Sequence, residues 1–217
     1  MPTFIKTGFW EKAKKGYKEW LNLDELIASK SASSGVNPFF LPDVISFGGT
    51  SCANIFIDPS DYYPLDFYSS KIEALNLITV NYKVNIYGGS NGFLTEVNFP
   101  SLTTVGGELT IQGWYDLTSV DISSLNEVSG NIYIQGNDVL ESIIVSSSLS
   151  IPNGSVIAFD YNALNQSSVD AILSALVQGE VTNCNIDLSG GTNAAPSTQG
   201  LDDVDILIAN GCTVTVN

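Results

Sequence analysis

The chain has 217 residues, of which 23 are carboxylates and eight are lysines, with no arginine and no histidine, for a net charge of −15. A surface of that sign has little with which to neutralise phosphates, which argues against nucleic-acid binding and against docking on anionic lipid. No apolar run reaches the length of a membrane span. Without imidazole, neither a Ser–His or Cys–His catalytic pair nor an imidazole zinc site can be built.

Residues 1–27 stand apart. Five of the eight lysines fall within the first 18 residues, interleaved with Phe4, Phe9, Trp10, Tyr17 and Trp20. Phe9, Ala13, Tyr17 and Leu21 are at helical spacing. Large aromatics are the usual anchors of interfaces, so the segment reads as a basic, aromatic N-terminal docking arm, with folding back as a cap as the alternative. Met1 to Trp20 has no apolar signal core, which gives the expectation that the chain is made in a cytoplasm and that, if it ends up outside a cell, something other than a signal peptide carries it there. Residues 28–37, ASKSASSGVN, are small and polar and read as a flexible linker.

Residues 38–165 read as one repetitive domain. It opens irregularly, with strand-like pieces at Val44–Phe47, Asn54–Ile57 and Ile78–Val80, and the cluster Tyr62, Tyr63, Phe67 and Tyr68 is expected to pack over that end. From Val84 the sequence repeats with a period of about 23 residues. Leu94, Leu117, Leu140 and Leu164 share one column; Val97, Val120 and Ile143 the next; then Phe99, Ile122 and Val145. Val105, Val128 and Ile151 make another, and Ile86, Ile111, Ile134 and Ala158 another. Units of this length cannot bury their own apolar side and must stack. Each unit is expected to hold two short strands that pair in parallel with their equivalents about 4.8 Å away. The fold class expected is therefore mainly β, a parallel β-solenoid with a C-terminal α/β cap over 166–217. In that cap, helices are predicted over 167–177 and 198–210, with Gly211 stopping the second, and strands over 185–188 and 212–216. This ending is expected to cover the last edge of the stack.

The spacing Leu117-x-x-Val120-x-Ile122, and the segments FPSLTTVGGELTIQG and DISSLNEVSGNIYIQG, resemble the L-domain type of leucine-rich repeat. That resemblance implies the solenoid and little about function. The asparagine usual after L-x-x-L-x-L-x-x is replaced by Leu102 and Leu125, so an apolar ladder is expected in place of an asparagine ladder. The passages NALNQSSVDAILSAL, LSGGTNAAPS and FIKTGFWEK are similar to segments of structural proteins of tailed phages and prophages. This second resemblance implies a virion component, a tail fibre, head fibre or decoration protein. Its partners would be other virion proteins through the arm and a host surface glycan or protein, with homo-oligomerisation. The other expectation is a cellular leucine-rich-repeat interaction module without a viral link.

After Lys83 there are 14 carboxylates and no cation. Asp116, Asp121, Asp138 and Glu141 fall on successive units, but acid pairs on such a surface arise by chance, and no enzymatic activity is expected. No cofactor is expected, except that Asp116 and Asp138 are candidate calcium ligands. Residues expected to point outward and bind a ligand are Tyr87, Gln112, Trp114, Tyr115, Tyr133 and Gln135, with Asn137 beside them. Aromatics next to amides suit sugar rings and hydroxyls; packing of Trp114 and Tyr115 on a neighbouring loop or subunit is the alternative. Cys52, Cys184 and Cys212 match no metal motif and read as buried free thiols, a Cys184–Cys212 bond being the alternative.

Overall fold

The computed structural model describes residues 21–22, 44–46, 51–52, 54–57, 71–88 and 93–217. They are mainly β, arranged in three parallel sheets with two helices. The largest sheet has eight strands, in the order Leu21–Asn22, Ile55–Ile57, Val84–Tyr87, Leu109–Gln112, Ile132–Gln135, Val156–Ala158, Asn185–Asp187 and Thr213–Thr215. A five-stranded sheet holds Val44–Ser46, Lys71–Glu73, Glu96–Asn98, Ser119–Ile122 and Ser142–Val145. A four-stranded sheet holds Ser51–Cys52, Thr79–Val80, Thr104–Val105 and Glu127–Val128. From Val84 to Ala158 the chain visits the large, the five-stranded and the four-stranded sheet in turn, an order compatible with a parallel β-solenoid.

The circuits from Val84 and Leu109 thus make three strands where the sequence pattern predicts two, and the circuit from Ile132 has a single bridge at Ser150 in the third place. The third, such as Thr104–Val105, is only two residues long. Two residues are too few to show alternation, so only its inward member, in the column Val105, Val128 and Ile151, is visible in sequence. The register confirms the columns except at Ala158, which pairs with Tyr133 and not with Ile134. Leu109, Thr110, Ile111 and Gln112 pair with Ile132, Tyr133, Ile134 and Gln135 on one side and with Val84, Asn85, Ile86 and Tyr87 on the other. Val120 pairs with Val97 and with Ile143.

The inward columns form one continuous core, from Ile55 and Ile72 through Leu94, Leu117, Leu140 and Leu164 to Ile186 and Leu207. Leu102 and Leu125 are buried, so the apolar ladder expected there is present. Gly88 and Gly106 stand where circuits approach closely: a Cβ on Gly88 would lie 2.0 Å from the Gly113 carbonyl oxygen and one on Gly106 2.1 Å from the Asn81 carbonyl oxygen.

Beyond Ala158 helices take over from the five-stranded sheet. Helix α1 spans Gln166–Gln178 and helix α2 spans Thr198–Ala209, close to the predicted bounds. The N-cap of α1 is Asn165, whose side chain accepts from the Ser168 amide. α1 lies against the last strand of the five-stranded sheet, and the Ile143 amide donates to Ser168 Oγ at 3.2 Å. The large sheet is not closed off in the same way. It runs on to Thr213–Thr215, which among the described residues pairs on one side only, so the expected covering holds for one sheet and not for the other.

Cys184 and Cys212 are both free and buried, each immediately before one of two paired strands, Asn185–Asp187 and Thr213–Thr215. The Cys184 amide donates to Cys212 Sγ at 3.5 Å.

Candidate binding face

The outer face of the large sheet collects most of the residues singled out from sequence. Tyr87, Gln112 and Gln135 are paired on three consecutive strands and form one row. Gln135 Nε2 donates to Gln112 Oε1 at 3.4 Å. Tyr133 lies in the neighbouring row, paired with Thr110 on one side and Ala158 on the other. Tyr115 is exposed on the turn that follows. Phe4, Phe9, Trp10, Tyr17 and Trp20 lie outside the described residues. From the segment read as an arm, Leu21–Asn22 is described, and it forms the first strand of the large sheet, pairing with Ile55–Phe56.

Two outward assignments are overturned. Trp114 is fully buried, with Nε1 donating to the Ile86 carbonyl at 3.2 Å. Asn137 is fully buried as well. The cause is Gly113, whose φ of +77° turns the chain after Gln112, so that counting alternate residues along the strand no longer gives the side.

These two residues belong to a ladder that the sequence reading expected to be missing. Asn137 Nδ2 donates to the Ile111 carbonyl at 3.2 Å, and Asn162 Nδ2 donates to the Ile134 carbonyl at 2.7 Å. Trp114 Nε1 makes the equivalent bond to Ile86. The oxygens serve the backbone one circuit earlier: Asn137 Oδ1 accepts from the Trp114 amide and Asn162 Oδ1 from the Asn137 amide. Asn193 continues the pattern, its Oδ1 accepting from the Leu164 amide and its Nδ2 donating to the Leu188 and Phe159 carbonyls. The asparagines follow the strand of the large sheet, not the Leu117-x-x-Val120-x-Ile122 strand after which an asparagine was sought.

The proposed calcium ligands Asp116 and Asp138 are exposed but out of step. Counted from the paired Gln112 and Gln135, Asp116 is one position further along its turn than Asp138. Among the described residues no group of three or more His, Cys, Asp or Glu is arranged to hold a metal ion.

Sequence reasoning missed the far end of the face. The row of Tyr87, Gln112 and Gln135 continues through Asp160, whose carbonyl accepts from the Gly136 amide, to Ser189. Asp187 lies diagonally across, with its Oδ1 accepting from the Ser189 amide and hydroxyl at 2.9 and 2.7 Å. Asp160 Oδ1 is shielded from water and has no hydrogen-bond donor. Burial pushes the Asp160 carboxyl above its ordinary value, and the nearby Asp187 adds to the effect, while an Asp160 backbone hydrogen bond opposes it.

Next to it, Tyr161 has φ of +52°. It holds the position that Gly113, Gly136 and Gly190 hold on the other circuits, at φ of +77°, +63° and +73°. Its ring lies against Gly190: a Cβ there would fall 3.1 Å from the ring carbons. Even so, Tyr161 is 62% exposed. A signal was available, because the glycine that follows Gln112 and Gln135 has a tyrosine as its counterpart after Asp160.

The face is anionic. The two lysines among the described residues, Lys71 and Lys83, lie before Val84. Lys71 bridges Glu96 at 2.8 Å and Glu73 at 3.6 Å, and Lys83 reaches Glu108 at 3.8 Å. The Lys71 ammonium is held above its ordinary range by its bond to Glu96. No helix among the described residues is long and apolar enough to cross a membrane. No protein-family model matches the chain, and no curated protein or solved structure is significantly similar to it.

Proposed function

We propose that this chain is a non-enzymatic binding module, a leucine-rich-repeat parallel β-solenoid of the L-domain-like type that presents the outer face of its large sheet to a ligand. The observation that carries the reading is the row of Tyr87, Gln112 and Gln135, with Tyr133 beside it, on a face that has no cation after Lys83. Aromatic rings next to amides combine apolar area with paired donors and acceptors. The offset of 132 − 109 = 23 residues between paired strands supports the repeat assignment, as does the ladder of Asn137, Asn162 and Asn193.

The setting is the surface of a tailed-phage particle. There the basic, aromatic segment 1–27 docks on other virion proteins and the repeats face outward, toward a host surface glycan or protein. The support for this setting is the sequence resemblance of the two ends, together with the contrast in charge between the first 18 residues and the rest. Copies of the chain are expected to associate on the particle.

Immunogold labelling of particles with antibody against residues 84–217 tests the reading. Label on a tail tip or fibre supports host recognition, and label over the head supports a head-fibre or decoration role. Absence of label from every particle would instead favour a cellular interaction module. Deleting residues 1–20, which keeps the Leu21–Asn22 strand on the large sheet, should abolish incorporation while leaving the rest folded.

A further inference from the structure

We propose that Tyr161 is the stacking platform of a subsite for a neutral sugar ring, with Asp160 and Asp187 accepting hydrogen bonds from its hydroxyls. The proposal rests on reading the large sheet's outer face as a ligand surface, and it assigns that surface a ligand class and a location.

The first argument is conformational. At this point of the circuit the backbone is left-handed, and glycine supplies it at Gly113, Gly136 and Gly190. A tyrosine there is strained, and strain of that kind persists where the side chain is used. Tyr161 contributes little to the core, since more than half of it is exposed. What it gains is support: the ring packs over Gly190, where a Cβ would come within 3.1 Å of the ring carbons. A flat, supported and exposed aromatic is the form that a sugar-stacking residue takes.

The second argument concerns the polar groups behind the ring. Asp160 keeps Oδ1 out of water without a donor, which costs free energy unless a ligand supplies one. The terminal torsion of an aspartate is broad, so a modest rotation brings that oxygen toward the rim. Asp187 is fixed by the Ser189 amide and hydroxyl. Gln135, in the same row, adds an amide with both donor and acceptor capacity.

Charge selects the ligand class. With 14 carboxylates and no cation after Lys83, anionic glycans are repelled. A cationic peptide would be attracted at long range. Its ammonium groups carry donors only, however, and would leave the donor capacity of Gln112 and Gln135 unused, whereas sugar hydroxyls both donate and accept.

The test uses the full chain on an array of neutral oligosaccharides, with sialylated and uronate-containing oligosaccharides and a lysine-rich peptide as competitors, followed by titration calorimetry. A neutral oligosaccharide is expected to bind. Tyr161→Gly should weaken it at least tenfold without lowering the melting temperature, because glycine relieves the backbone. Asp160→Asn, which keeps the shape, should weaken it severalfold. Unchanged affinity in Tyr161→Gly, or equal binding of the anionic sugars or the lysine peptide, overturns the proposal. If no neutral oligosaccharide binds while antibody against residues 84–217 still blocks adsorption of particles, the sugar subsite is wrong and the broader reading stands. If adsorption is unaffected as well, both fail.

Discussion

Asn162 binds Asn137 twice through a single oxygen: Oδ1 lies 3.0 Å from the Asn137 backbone nitrogen and 3.1 Å from its Nδ2. On its other side Asn162 Nδ2 donates to the Ile134 and Phe159 carbonyls at 2.7 and 2.8 Å. One fully buried side chain therefore ties three stretches of backbone together.

Removing it should be severe. Asn162→Leu takes the side-chain partner from the Asn137 amide and the Ile134 carbonyl and leaves the Phe159 carbonyl with Asn193 alone, at about 1–3 kcal/mol for each group left unpartnered before relaxation. The net loss is expected at about 3–5 kcal/mol in urea unfolding, with no smaller change in the slope than a two-state transition allows.

Trp114 should behave as a structural residue. Trp114→Phe keeps most of the ring volume but withdraws the donor from the Ile86 carbonyl. A loss of about 1–2 kcal/mol is expected, with ligand affinity unchanged once the protein is folded. An equal loss of affinity, measured below the melting transition, would return Trp114 to the binding surface.

Two adjacent residues after α1 should respond in opposite directions. Gly179 has an ordinary φ of −79°, but a Cβ there would lie 2.0 Å from the Leu149 carbonyl oxygen. Glu180 has φ of +54°, in the left-handed region, where α2 uses Gly211 at +84°. Gly179→Ala should destabilise by more than about 1 kcal/mol, and Glu180→Gly should stabilise by about 1 kcal/mol. Thermal unfolding of the two variants separates close approach from backbone strain as the reason for a glycine.

Acid should stabilise the fold before it unfolds it. Burial raises the carboxyls of Asp160 and Asp203 above the ordinary 3.8, and nearby carboxylates push in the same direction. The folded state then binds more protons than the unfolded one between 3.8 and the raised values. The stability this gives is full below 3.8 and is lost as the pH rises through the raised values. The melting temperature should therefore rise as the pH falls from neutral through the raised values toward 3.8, helped by the shrinking net charge. Asp203→Asn should raise the melting temperature at pH 7 and flatten the profile. A melting temperature that falls steadily over that whole range would refute this.

The inward columns were legible because stacking keeps them strictly in place. Leu94, Leu117 and Leu140 are buried on successive circuits, and a buried apolar column leaves its mark whatever the turns do. The turns were harder to read. Past Gly113 the side to which Trp114 points depends on one dihedral angle and not on alternation. The asparagines were hidden by a change of spacing: Asn137 stands three residues before Leu140, but Asn162 stands two before Leu164. Tyr161 escaped for a related reason, since its importance lies in replacing a glycine, and that shows only once the left-handed positions are aligned. The pairing of Leu21–Asn22 with Ile55–Phe56 joins strands separated by a stretch whose composition gives no sign of it.

The side-chain ladder also has a direction. An asparagine both gives and takes, so it can stand in the middle of a series. The indole of Trp114 can only give, and nothing on an earlier circuit can donate a hydrogen bond to it. Trp114 can therefore start the series but never continue it. Whole circuits can be added or lost above it, each bringing its own asparagine, and the face would lengthen or shorten by one strand at a time. A circuit inserted below it would find no acceptor waiting.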